Sequence, residues 1–351
     1  MSTLTSPSPA APSSLTASQE PPAVPPLLDV SLIIVSFNTR ELLRQCLQSV
    51  LIETGNLRAE ILVVENASTD GSAAMIERDF PSVHLIRSEI NLGFGSANNA
   101  ALAQARGRYH VLLNSDAFFA PGALALAIRH MDDTPDCALG GGLLLGPDGE
   151  WQPSARSFHS ITGDALVLTG LAARFPHSHF FGRFDRTWAD PCIACPVDWV
   201  PGAFSIIRPA ALRQVGFFDP DFFLYYEEVD LCRRIHRAGY KVWYWPDIVI
   251  THIGGESSRQ HTTLDFSPAA AQVVLWRMRS TLLYYRKHHG ALAYAALWLE
   301  RLIYSFTILR NSFSRNPWRQ ERKHHYRKLL ELLNQAWADT RGGRISPPRP
   351  W

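Results

Sequence analysis

The chain has 351 residues, 46% hydrophobic and 19% charged, with a net charge of +2. These are the proportions of a soluble globular protein, long enough for one large domain or one domain with an appendage. The small net charge hides an asymmetry: residues 277–351 hold 15 Lys/Arg against 4 Asp/Glu (+11), leaving 19 against 28 (−9) for the first 276. An acidic body with a basic tail points to an anionic partner for the tail, a membrane surface or nucleic acid. Five scattered cysteines (Cys46, Cys137, Cys192, Cys195, Cys232) fit a reduced, cytoplasmic setting better than a disulfide framework. Cys192 and Cys195 have CxxC spacing but no second pair for a zinc or redox site.

Residues 1–28 are Ser, Thr, Pro and Ala with little that is bulky and apolar, and are expected to be disordered. They lack the charged and apolar regions of a signal peptide. Val30–Asn38 opens the folded part as a β-branched run ending in Ser36-Phe37-Asn38. Such a run reads as a buried parallel strand. Glu41–Leu51 has helical spacing, and Glu60–Glu65 is a second strand. Strand, helix and strand within about 35 residues form a βαβ unit, whose ligands bind at the carboxyl ends of the strands. The second strand ends in Glu65-Asn66-Ala67-Ser68-Thr69-Asp70-Gly71-Ser72. One such ending is ordinary turn chemistry; two on one sheet edge point to a cleft.

Val83–Ile86 is a short strand, followed by Asn91-Leu92-Gly93-Phe94-Gly95 and an Ala-rich helix expected over Ala100–Ala105. Glycines before a helix allow close approach by a ligand, and the helix start favours an anion. Tyr109–Leu113 is a fourth strand, ending in Asn114-Ser115-Asp116. A carboxylate there suits a Mg²⁺ or Mn²⁺ ligand or a turn cap. Leu143–Glu150 reads as a hairpin with a Pro-Asp-Gly turn, Phe158–Ala189 as a long loop region, and Val197–Arg208 as a return to strand.

An aromatic run, Phe222–Tyr226, then leads into Glu227, Glu228 and Asp230 and a helix expected over Val229–Ala238. Carboxylates behind aromatics have raised pKa values that suit a general base; a helix start that favours acids is the structural alternative. Two strands follow, Lys241–Trp245 and Ile248–His252, the latter ending in His252-Ile253-Gly254-Gly255. That histidine is either structural or a metal ligand.

In this order, the pieces Ile34–Asn38, Val63–Ser72, Asn91–Phe94, Leu113–Asp116, Trp199–Ala203, Tyr226–Leu231 and His252–Gly255 resemble the family 2 glycosyltransferases of the GT-A fold, especially the bacterial rhamnosyltransferase-like members. The resemblance covers roughly residues 30–260 and implies an α/β fold with a mainly parallel, Rossmann-like sheet flanked by helices, over residues 29–265. It implies donor contacts from Ser36, Asn38, Glu65, Asn66, Asp70, Asn91, Gly93, Phe94, Asn114, Ser115 and Asp116. It implies a divalent cation on Asp116 and His252, a sugar and acceptor pocket at Trp199, Gly202 and Ala203, and a base at Glu228. Glu227 and Asp230 would position that base or hold the helix start. Glu65 and Asn114 depart from the family's usual aspartates. Transfer from a nucleoside diphosphate sugar, rhamnose among the options, needs a cation on the leaving diphosphate and one base, with inversion by single displacement. An inert nucleotide- or sugar-binding scaffold and a sugar-nucleotide pyrophosphorylase are the other readings.

Residues 266–351 lie outside the resemblance and are expected to form a basic, amphipathic helical region. Trp298, Leu299, Leu302, Phe306, Leu309 and Phe313 share a helical face, and Glu300-Arg301 interrupts the run before it reaches the ~20 apolar residues of a spanning helix. Arg315–Lys328 is dense in Arg, Lys and His. The expectation is a peripheral helix on an anionic membrane at its cytoplasmic inner face, with packing on the catalytic domain or in a homodimer as the alternative. The expected partners are a nucleoside diphosphate sugar and a lipid-linked or glycan acceptor, and no nucleic acid.

Overall fold

Four strands with apolar centres, each followed by a polar end, build one half of the molecule. The computed structural model describes residues 28–254 and 268–347. The expected tail, apart from Leu28, and the expected boundary at 265/266 lie outside the described residues. In chain order the first half is β1 (Leu28–Ser36), α1 (Arg40–Thr54), β2 (Ala59–Asn66), α2 (Ser72–Asp79), β3 (His84–Ser88), α3 (Phe94–Leu102) and β4 (Gly107–Asn114). β1 lies between β2 and β4, parallel to both, and β3 extends the row. Val30, Leu32, Ile33 and Ile34 are completely buried, as a strand covered on both faces requires. Each such side chain contributes about 1.5–3 kcal/mol of burial.

The second half adds β5 (Ala117–Phe119), α4 (Ala123–Asp133), β6 (Cys137–Leu145), β7 (Trp151–Gln152), α5 (Ile161–Leu168), α6 (Leu171–Arg174), β8 (Cys195–Val197), β9 (Phe204–Ile207), α7 (Pro209–Val215), α8 (Glu227–Arg237) and β10 (Lys241–His252). The main path of the sheet runs β3-β2-β1-β4-β9-β6-β10-β5. β9 is antiparallel to both neighbours, β10 is parallel to β6, and β5 closes the row antiparallel to β10. The hairpin at the Pro-Asp-Gly turn is present as β6–β7.

Several expected boundaries move. Phe158–Ala189 is not all loop, because α5 starts within it on the side chain of Ser160, which accepts from Gly163. The two expected aromatic strands are a single strand, β10, whose register shifts between Trp245 and Val249, around Pro246. α3 starts at Phe94 and α8 at Glu227, so both glutamates stand in the first turn of α8.

Three helices complete the chain: α9 (Pro268–His289), α10 (Leu292–Ser312) and α11 (Pro317–Asp339). Their mutual core includes Leu275, Met278, Leu282, Leu297, Tyr304, Leu332 and Leu333. Leu283, Tyr284 and Tyr285 of α9, with Ala293 and Ala296 of α10, join instead the core that holds α3, α7 and α8. The C-terminal helical region is thus anchored to the sheet domain through α9. Glu300 and Arg301 do not break α10, which by length and composition alone is sufficient to cross a membrane. Glu300 turns inward, while Arg301 lies over the Trp298 ring and bonds Asn334.

Candidate active site

The carboxyl ends of β1, β2 and β4 meet at one edge, and short polar side chains fix their loops to one another. Thr39 hydroxyl lies 3.1 Å from that of Ser36 and 2.9 Å from that of Ser115, so a chain of three hydroxyls ties β1 to β4. Asn38 takes a left-handed conformation, φ 54°, and accepts from the Thr69 amide at 2.8 Å. Glu65 accepts from the Ser68 amide at 2.6 Å. Asp70 is spent on architecture: it accepts from the amides of Arg40 at 2.7 Å and Ser72 at 3.0 Å, and from the Ser72 hydroxyl. Burial would raise its pKa, but these donors outweigh burial and lower it.

Asn66 and Asn91 are likewise occupied. Asn66 donates to Asn91 at 2.9 Å and accepts from the Leu92 amide at 2.8 Å, and Asn91 accepts from the Gly93 amide at 2.9 Å. These bonds set the loop that enters α3. Gly93 sits at φ 77°, and a Cβ there would collide with the Phe223 carbonyl, which accepts from the Phe94 amide at 2.9 Å. The loop of β3 is therefore bonded to the loop that carries the acidic stretch.

At the end of β4, Asp116 and His252 come together because β5 pairs with β10 and sets Ala117 opposite His252. Asp116 Oδ1 lies 3.5 Å from His252 Nε2. Gln152 holds the ring: its Nε2 donates to the His252 carbonyl at 2.9 Å, so its Oε1 faces Nδ1, also at 2.9 Å. An amide oxygen requires a proton on Nδ1, so in the neutral ring it is Nε2 that carries the lone pair facing the carboxylate. Two acceptors facing each other fit a cation between them, with the orienting partner that metal-bound histidines have. Asn114 is tied by its amide to the Ala203 carbonyl at 3.0 Å and supplies no charge. No group of three or more His, Cys, Asp or Glu that could hold a metal occurs among the described residues, so the protein would contribute two ligands. Mg²⁺ and Mn²⁺ commonly bind through one or two protein groups together with substrate phosphates.

The acidic stretch is aimed by strained backbone. Tyr225 and Tyr226 are both left-handed, φ 67° and 70°, a conformation that costs a bulky residue about 1–3 kcal/mol. Tyr226 is held there by rings: His159 at 4.5 Å and Tyr284 at 5.2 Å between centroids. Glu227 and Glu228 then diverge. Glu227 is buried, with its Cβ against the space that Gly95 leaves open, and burial followed by the Glu228 charge pushes its pKa well up. Glu228 is half-buried, lines a cavity of about 240 Å³ and is raised by burial, with Arg156 opposing. Each has a carboxyl oxygen with no hydrogen-bond partner. Asp230 is not part of that wall. It is fully enclosed by Arg234 at 2.8 Å, His288 at 2.7 Å and Lys287 at 2.6 Å, and pins α8 to α9. Burial would raise its pKa, but those three outweigh it and hold it at about 2.

Of the expected pocket residues, Trp199 lines the cavity and donates to the Ser157 carbonyl at 2.9 Å. Gly202 lies instead against the Phe94 ring, and Ala203 holds Asn114. Sequence reasoning missed Thr39, Gln152, Arg156, His159, Asp164, Arg277 and Glu300. Gln152 acts through His252 alone and Thr39 through two neighbouring hydroxyls, and neither carries a motif. Glu300 does carry a signal, as a lone acid in an apolar helix.

A mainly parallel sheet flanked by helices, with polar loops gathered at the carboxyl ends of its strands, defines the architecture as the GT-A glycosyltransferase fold. A mannosyltransferase from Pyrobaculum calidifontis in complex with GDP-Man and Mn²⁺ shares it at a TM-score of 0.54 and 17% identity, over 92% of this chain and 91% of that one. So does GalNAc-T7 with UDP, GalNAc and Mn²⁺, at 0.51 and 15%, over 91% and 58%. Residues 31–193 match the family model for glycosyl transferase family 2. An N-acetylglucosaminyl-diphospho-decaprenol L-rhamnosyltransferase of Mycobacterium tuberculosis (strain CDC 1551 / Oshkosh) is 29% identical over 203 residues. That match takes in 55% of this chain and 66% of the relative, just under two thirds of its length.

Proposed function

We propose that this chain transfers a sugar from a nucleoside diphosphate donor to a hydroxyl of a lipid-linked or other cell-envelope glycan, with inversion at the anomeric carbon. The reading rests above all on Glu228, a carboxyl with raised pKa and a free oxygen, facing a cavity beside the loop that Phe223 bonds to Phe94. Glu228 takes the acceptor's proton as the hydroxyl attacks. Glu227 and the strained tyrosines hold it in place. Asp116 and His252 would hold a divalent cation, which supplies charge neutralisation on the leaving diphosphate. Mn²⁺ in two solved structures that share the fold supports this assignment. Rhamnose is a candidate donor sugar because the mycobacterial relative is named for it. Residues 29–265 form the transferase domain in this reading, and 266–351 the basic helical region.

The same reading sets α10 on the cytoplasmic face of a membrane. Trp298, Leu302, Phe306 and Leu309 are 56–65% exposed and Phe313 is 85% exposed, a row of large apolar side chains next to the basic start of α11. Asn114, an amide where the family has an acid, favours a second reading, an inert sugar-nucleotide-binding scaffold. Thermal-shift screening with UDP-, dTDP- and GDP-sugars, with and without Mn²⁺, followed by product analysis on any stabilising donor, tests both. A Mn²⁺-dependent donor with turnover supports the transferase, binding without turnover supports the scaffold, and no stabilisation by any donor rejects both.

A further inference from the structure

The cavity beside Glu228 is closed by side chains that lie beyond the family match. Arg277 and Thr281 come from α9 and Glu300 from α10, facing Trp199 and Phe184 across the space. Glu300 is 7% exposed on a helix whose outer face is apolar. A carboxylate costs several kcal/mol in such a place unless it is compensated. Tyr304 donates to Glu300 Oε2 at 2.7 Å. Burial pushes the Glu300 pKa up, with Arg277 and Tyr304 opposing. For Arg277 burial acts to lower the pKa, and Tyr304 and Glu300 outweigh it. This wall can both donate and accept hydrogen bonds. The Arg156 guanidinium covers the Trp199 ring, 5.2 Å from its centre, and Val167, Leu168 and Phe184 supply the apolar lining. An apolar lining and a wall of guanidinium and carboxyl groups complement a sugar ring, whose C–H face is apolar and whose edge carries hydroxyls. The volume, about 240 Å³, falls just below the range of drug-sized pockets and suits about one ring.

We propose that Glu300 and Arg277 read the acceptor, binding the hydroxyls of a sugar ring held in this cavity against Val167 and Leu168. α10 would then carry acceptor recognition on its inner side and an apolar surface on its outer side. This rests on the transferase reading only in that the ring's free hydroxyl would reach Glu228; binding itself needs no donor and no turnover. The competing explanation is that Arg277 and Glu300 are only an internal pin.

Saturation-transfer NMR on the full chain, with the methyl glycosides of N-acetylglucosamine, mannose and rhamnose as probes and no donor present, separates the two. At least one probe should bind, and Glu300→Gln should weaken it about tenfold or more, the effect of losing one charged hydrogen bond. Stabilisation by UDP- or GDP-sugar with Mn²⁺ should stay as in the parent, which shows that the fold is intact. Should Glu300→Gln not fold, Thr281→Val removes a hydroxyl from the same wall and should weaken the probe several-fold. Binding of no probe by the parent, or parental affinity in the folded variant, overturns the proposal. Loss of donor stabilisation in the parent would instead overturn the transferase reading and leave probe binding to stand or fall on its own.

Discussion

The amide of Phe94 donates to the carbonyl of Phe223 at 2.9 Å, across a contact where Gly93 has no room for a Cβ. This bond ties the loop after β3 to the loop before Glu227. Two segments about 130 residues apart in sequence thus share one backbone contact, and the proposed donor and base sides of the cleft are registered by it.

Gly93→Ala should therefore cost more than an ordinary left-handed glycine. Gly122, at φ 81° with nothing within 4 Å of a built Cβ, is the internal control. Gly122→Ala should cost only the left-handed penalty, about 1–2 kcal/mol. Gly93, at φ 77° and ψ −178°, lies in a region essentially confined to glycine, so Gly93→Ala should add about 1–3 kcal/mol for backbone strain and forced movement together, and should lower donor binding as well. Urea denaturation of both variants checks this; equal losses would mean that the Phe223 contact yields easily.

Asp116→Ala and His252→Ala should each weaken Mn²⁺-dependent donor binding. Gln152→Leu should do so by about 10–100-fold without touching the ion, because it frees the tautomer of His252. Calorimetric titration of donor with and without Mn²⁺ reads all three. Parental titration by the two ligand variants would remove the metal from this site.

The two glutamates should separate in function and in pH dependence. Glu228→Gln should lower turnover at least about 10²-fold with donor binding kept, and Glu227→Gln should do less. In the parent, turnover should rise with pH through the raised pKa of Glu228, since the base must be ionised. For Glu227 the folded pKa lies above its ordinary value of 4.5. Its contribution to stability is complete below that value and is lost as pH rises through the folded one. Glu227→Gln, which stays neutral, should flatten that decline in urea denaturation measured across pH. An unchanged slope would show that Glu227 titrates normally.

Membrane association should depend on the outer face of α10. Removing the helix is a poor test, because Ala293 and Ala296 belong to the main core. Leu302→Ser with Phe306→Ser changes only side chains that are 64% and 65% exposed. The parent should float with anionic liposomes and detach as salt rises, since Arg315, Arg319, Arg322 and Lys323 near α10 each add on the order of 1 kcal/mol at such a surface. The double variant should stay at the bottom of the gradient. Flotation of both, or of neither, would assign the row to a protein contact.

The sequence by itself determined the parallel half of the sheet, because strands buried on both faces must read as unbroken β-branched runs such as Val30–Val35. It also determined which strand ends carry polar residues, and hence the edge on which Asp116, His252 and Glu228 were sought. Tertiary structure alone decided how those residues are used. Asp70, Asn66 and Asp230 look like site residues in the sequence, yet the oxygens of Asp70 and Asn66 accept from backbone amides and those of Asp230 face a basic cluster. Partners such as Arg40, Leu92 and His288, 30, 26 and 58 positions away, leave no local pattern. The wall formed by Arg277 and Glu300 was equally hidden. An acid in an apolar helix reads as a break in one dimension, and only the packing of α10 against α9 and α5 brings it to the cavity that Glu228 lines.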